Sequence, residues 1–243
     1  MAAKTESAAR RLSLTGTGVS GGGSYAKARV IGDGIVHGSL DCVQLAVTGS
    51  LRVHGELNAL NARVTGTVSA EGLSVGRLRL TGELVSRDAA TVRELLGSGS
   101  FASQESLQAD CIRLSGELQA TSCSASEVRI KGRAAVPGKL DAGSIMLQLH
   151  RDSSIGELVG RRVEVSRPGW LARLFGTVFR SVRPARLDAR RIEGAVVRLE
   201  RTRADTVRGG SVTIGEGCEI GRVDYTEELT VHPGAVVKER RRM

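Results

Sequence analysis

The sequence predicts an all-β chain, a β-solenoid of about 17-residue turns with one inserted amphipathic helix. Three observations carry that expectation. A short motif ending in glycine recurs at a near-constant interval. The apolar residues are almost all aliphatic, with six aromatic side chains in 243 residues. Three of those six, Trp170, Phe175 and Phe179, crowd into one basic segment.

The repeat comes first. "ARVIG" ends at Gly32, "LAVTG" at Gly49, "ARVTG" at Gly66, "LRLTG" at Gly82, "LLGSG" at Gly99, "IRLSG" at Gly116 and "VRIKG" at Gly132. The spacing stays within one position from each glycine to the next, and the same phase continues through "IMLQL" and "VEVSR" without the glycine. Between the glycines run short apolar/polar alternations, as in "VQLAV-TG-SLRV-HG-ELNAL" from Val43 to Leu60. Alternation marks half-buried strands, and the glycines mark sharp corners. One such turn cannot bury its own apolar face, whereas stacked turns can. The inward set of this turn is expected to be Leu45, Val47, Leu51, Val53 and Leu57. Stacking aliphatic on aliphatic fills a thin interior that leaves no room for rings.

In chain order the reading is as follows. Residues 1–24 form a disordered tail, and residues 25–167 form eight or nine solenoid turns. The amphipathic insertion covers 168–184. Three further turns, signalled by "VVRLE", "SVTIGEG" and "ELTVHPG", cover 185–237, and 238–243 is a basic tail. The N-terminus lacks the apolar core of an export signal, and no segment reaches the roughly 18–20 apolar residues of a spanning helix. A cytoplasmic chain is expected.

Chemistry-bearing motifs are sparse. Gly16, Gly18 and Gly21 match the GxGxxG spacing of dinucleotide sites, but no helix follows to hold a pyrophosphate. No nucleotide, cofactor or metal is therefore expected. His37 and His54 lie one repeat apart, in one corner column with Glu71, Arg87, Gln104, Thr121 and Pro137. With no third ligand that column reads as exposed polar surface. Cys42, Cys111, Cys123 and Cys218 show no ligand spacing and read as four buried, reduced thiols. No catalytic constellation emerges.

The insertion is the candidate contact site. On a helix, Trp170, Leu171, Leu174, Phe175, Val178, Phe179 and Val182 form one apolar stripe, with Arg173, Arg180 and Arg183 on the other side. The net charge is +9, and residues 161–203 alone carry +8, from 12 Arg against Glu164, Asp188, Glu193 and Glu200. Such a segment fits an anionic membrane surface, its own solenoid, or a partner. Its rings share the apolar stripe and do not interleave with Arg, which disfavours nucleic acid.

The turns "VIGDGIVHGSLDC", "VTGSLRVHGELNA" and "IKGRAAVPGKLDA" resemble the "xGxGxVxGxLxA" turns of bactofilins, polymer-forming bacterial cytoskeletal proteins. The run from Val196 to Glu239 resembles the longer bactofilin-type proteins of Firmicutes, and the likeness covers residues 25–238. It implies a right-handed β-helix and end-to-end filaments formed without nucleotide, scaffolding cell shape, envelope enzymes or motility structures. This chain has more turns than short members and lacks the apolar N-terminal residues with which some reach the membrane.

The expected function is accordingly a non-catalytic scaffold that polymerises with itself, at the inner face of the cell membrane if the insertion binds there. Two alternatives remain open: a hexapeptide acyltransferase built on a left-handed β-helix, hinted at by "IGEGCEIG", and a monomeric solenoid adaptor for a partner protein.

Overall fold

The structure, a computed structural model, describes residues 10–167 and 185–243. All regular elements among the described residues are β-strands. The chain divides into two compact units, Met1–Leu114 with Gln119–Thr121, and Ser115–Leu118 with Ser122–Met243. The first holds β1 (Arg11–Ser20), β2 (Gly23–Val36), β3 (Leu40–Val53), β4 (Glu56–Ala70), β5 (Gly72–Ser86) and β6 (Ala90–Ser103). The second holds β8 (Ser122–Leu149), β9 (Ser153–Ser166), β10 (Leu187–Leu199), β11 (Thr202–Ile214), β12 (Glu219–Val231) and β13 (Val236–Arg242), while β7 (Ser106–Gln119) contributes to both.

Each unit is a parallel β-solenoid in which every strand pairs with its successor one turn later. In the first unit Leu14, Val30, Val47, Val64 and Leu80 are successive partners. Their spacing is that of the glycine repeat. In the second, Leu147 pairs with Val165, Val165 with Leu199, Leu199 with Ile214, and Ile214 with Val231. Strand β9 (Ser153–Ser166) pairs directly with β10, which begins at Leu187.

The five residues expected to point inward, Leu45, Val47, Leu51, Val53 and Leu57, are all buried. Like side chains stack in columns: Leu40, Leu57 and Leu73 in one, Ala28, Leu45, Ala62, Leu78 and Leu95 in another. Fully burying each Leu or Val contributes roughly 1.5–3 kcal/mol, without the volume a ring demands. One ring does enter the core. Phe101 is fully buried in the column of Leu51, Val68 and Leu84. Its turn carries Gly97 where the turn before places Leu80, a smaller residue in a neighbouring column.

Two further expectations are corrected. Residues 11–20 are not a disordered tail but β1, paired with β2 along its whole length. The basic end is not a tail either, because Lys238–Arg242 belong to β13, which pairs with β12. In both places backbone pairing supplies the order. The predicted helix over 168–184 falls outside the described residues.

Candidate functional site

The predicted corner glycines of the first unit meet in one column. Gly16, Gly32, Gly49, Gly66, Gly82 and Gly99 are successive register partners in the first unit. Every one has a positive φ, from +74° at Gly16 to +129° at Gly82, and Gly116 and Gly132 have φ of +142° and +143°. A Cβ built on Gly32, Gly49, Gly66, Gly82, Gly99 or Gly132 would fall onto the carbonyl oxygen of the glycine one turn before it. Both the backbone angle and the close approach therefore demand glycine. The column turns the chain and carries no chemistry of its own.

The other predicted site, Trp170, Leu171, Arg173, Leu174, Phe175, Val178, Phe179, Arg180, Val182 and Arg183, lies outside the described residues. Its two borders are held by charge. The Arg167 backbone N–H donates to Glu200 Oε2 at 3.1 Å, and its guanidinium reaches Glu200 and Glu216 at 3.3 and 2.9 Å. On the return side, the Arg186 N–H donates to Asp152 Oδ1 at 3.0 Å, and the Arg186 side chain pairs with Glu219 at 2.7 Å. These bonds anchor the chain on both sides of the insertion.

The histidine column behaves as its phase predicts. The rings of His37 and His54 stack at 5.5 Å between centroids, 8° from parallel. Their backbone N–H groups donate to the carbonyls of Ser20 and Val36. Among the described residues no group of three or more His, Cys, Asp or Glu is placed to hold a metal.

The cysteines differ from the expectation of four buried thiols. Cys123 and Cys218 are buried, and Cys42 and Cys111 are half-buried. Burial pushes the Cys123 thiol up to about 12; burial and then the neighbouring Asp41 push Cys42 up to about 12 as well. Burial also raises Cys218, against backbone hydrogen bonds at Thr202 and Gly215 that lower it. At neutral pH these three are protonated and poorly nucleophilic. In the second unit an open groove of about 510 Å³ follows the small residues Ala142, Gly160, Gly194 and Gly209, with Glu193 and Arg208 beside it.

The terminal strands are the remaining candidates. Among the described residues β1 pairs only with β2, and β13 only with β12. An unpaired edge of N–H and C=O groups is a template for another strand. The two edges differ in what stands behind them. In β1 the positions of the inward columns hold Leu12 and Leu14, partnered with Ala28 and Val30, and Val19 is 60% exposed. In β13, Arg240 takes the position held by Ile192, Val207 and Val223 in the turns before it. Asp224, the register partner of Arg241, is buried, with Oδ2 at 3.4 Å from Arg222 and 3.8 Å from Arg208. The β1 turn was missed in the sequence, although "LSLTG", ending at Gly16, repeats the motif one turn ahead of Gly32.

No protein-family model matches the chain, and no solved structure matches it. Two curated relatives do, both from Bacillus subtilis (strain 168). The Uncharacterized protein YhbE is 35% identical over 105 residues, which are 42% of this chain and 42% of the relative. The Uncharacterized protein YhbF is 36% identical over 107 residues, 44% of this chain and 42% of the relative. The matched region therefore spans less than half the length of either relative.

Proposed function

We propose that this protein is a non-catalytic scaffold that assembles with itself through its terminal strands into filaments, without nucleotide. In this reading its turns are right-handed, as in the bactofilins it resembles, and it works in the cytoplasm. The observation that carries the proposal is the parallel ladder ending in strands paired on one side only among the described residues. A second copy that meets β1 continues both the hydrogen-bond ladder and the apolar columns, through Leu12 and Leu14. The β13 edge is the weaker site, since Arg240 stands in line with the core and would have to be desolvated or paired. Contacts of this kind propagate into open fibres whenever the rotation they impose does not close.

The test is negative-stain electron microscopy with sedimentation of the purified chain, with and without nucleotide. Filaments in both conditions support the scaffold, and Leu14→Arg should shift the material to small particles with an unchanged circular dichroism spectrum. Discrete trimers that turn over acyl-CoA would replace the proposal with the acyltransferase reading. A stable monomer in physiological salt would replace it with the adaptor.

A further inference from the structure

The motifs that reveal the glycine column also carry an arginine three positions before the glycine, at Arg29, Arg63 and Arg79. Register turns that sequence habit into a surface. Ser13, Arg29, Ala46, Arg63, Arg79 and Leu96 form one outward column of the first unit. Two positions earlier on the same strands, Arg11, Lys27, Gln44, Asn61, Arg77 and Glu94 form a second. One face therefore carries six exposed cations, Arg11, Lys27, Arg29, Arg63, Arg77 and Arg79, on β1, β2, β4 and β5. The one carboxylate in these two columns, Glu94, is engaged by Arg77 at 2.7 Å. A third outward column adds the hydroxyls of Thr48, Thr65 and Thr81. The acids of these turns lie elsewhere, Asp33 and Glu83 beyond the glycine corner and Asp41 ahead of the lysine column, where Ser50 and Asn58 bond Asp33 and Asp41.

We propose that this face docks flat on an anionic lipid bilayer. Rungs about 4.8 Å apart and outward side chains about 6.6 Å apart along each strand set the cations in a shallow two-dimensional lattice. A bilayer surface can meet all of them at once, with the threonine hydroxyls at headgroup phosphates. Nucleic acid fits less well, because the face has no aromatic platform for bases and no helix or protruding ribbon for a groove. Since the columns run along the stacking direction, docking lays the axis of the first unit in the membrane plane.

The test is flotation of the full chain with phosphatidylcholine vesicles, with and without phosphatidylglycerol, at low and high salt. Binding should require phosphatidylglycerol and fall with salt. The triple variant Arg29→Ser/Arg63→Ser/Arg79→Ser should lose roughly 100-fold in partition coefficient, about fivefold per arginine. The control Arg161→Ser/Arg190→Ser/Arg203→Ser removes the same charge from exposed positions of the second unit and should lose far less. Equal losses in the two triples would reduce the effect to net charge and overturn the assignment. So would undiminished binding by the first triple, loss of flotation in Trp170→Ser/Phe175→Ser/Phe179→Ser alone, or binding to duplex DNA without binding to vesicles. Electron microscopy of the same variants reports filament formation independently, so failure here and failure of the scaffold reading are told apart.

Discussion

The two units build the same kind of turn by different means. In the first, successive turns differ by at most one residue, a positive-φ glycine stands at the same corner each time, and side-chain columns run straight. In the second, the step lengthens from Leu147 to Val165 and shortens from Leu199 to Ile214. The register also shifts between Val136 and Lys139, and again between Gly209 and Ser211. There the charges are matched pairwise, as in Arg162–Glu164, Lys139–Asp141 and Arg133–Glu117. Hydroxyls close corners in both units: Ser86 Oγ donates to Glu71 O and Asp88 O in the first, and in the second Ser153 Oγ accepts from the Ala134 N–H and donates to Arg151 O, and Thr202 Oγ1 donates to Glu200 O. A strict repeat needs glycine because every turn makes the same tight approach. An irregular one spreads the constraint over side chains.

The largest effect expected from that contrast is at the glycine corner. Gly66→Ala combines a φ of +126° with a Cβ driven onto the Gly49 carbonyl oxygen. Strain and overpacking at about 1–3 kcal/mol each predict a loss of about 2–6 kcal/mol in urea unfolding. Gly143→Ala in the second unit has no such φ, and its Cβ would stand 2.9 Å from Ser126 O. A loss of about 1 kcal/mol is expected there. Equal losses at the two sites would remove the distinction between the units.

The core provides the next effect. Phe101 is the largest of the fully buried side chains among the described residues, in a turn that carries Gly97 where the turn before has Leu80. Phe101→Ala should cost about 3–5 kcal/mol, and Phe101→Leu under about 1.5 kcal/mol, both read by thermal and urea unfolding. A small loss in Phe101→Ala would mean that the wall collapses into the space.

Smaller still is the border of the insertion. Glu200→Gln keeps the shape of the acceptor for the Arg167 N–H but removes the charge facing its guanidinium. Both groups are about a third exposed, so solvent screening keeps the expected cost to about 1 kcal/mol. The Glu216 carboxylate, at 2.9 Å, should retain part of the interaction, and Glu200→Gln/Glu216→Gln should exceed either single change.

How much of this was legible in the sequence follows the same division. The first unit was readable because its glycines and aliphatic residues recur in phase, down to the inward set from Leu45 to Leu57. Its outer turn was passed over because "LSLTG" sits among polar residues, and backbone pairing leaves no composition signal. The basic face was printed in "ARVIG", "ARVTG" and "LRLTG", but charge summed along the chain cancels Arg29 and Arg63 against Asp33 and Glu56 on other faces. Only register separates them. In the second unit turn lengths change, and many of the groups that hold it lie far apart in the chain, as Arg186 and Asp152 do. No local pattern announces them.

The last prediction concerns thiols and has no effect at neutral pH. Cys42 in the first unit and Cys123 in the second are both held near 12, against about 8.5 for a free thiol. A group whose folded value is raised contributes stability below its unfolded value and loses it as pH rises through the folded one. Stability should therefore be flat up to about pH 8 and decline between about pH 8.5 and 12. Cys42→Ala/Cys123→Ala should flatten the thiol part of that decline, measured by urea unfolding at fixed salt. The units should separate in a second readout. Cys42, half-buried, should react with a thiol reagent in the folded protein at alkaline pH, while Cys123, 2% exposed, should react only on unfolding. Reaction of Cys123 at the rate of Cys42 would mean that the wall of the second unit opens locally, which its shifted register makes the more vulnerable of the two.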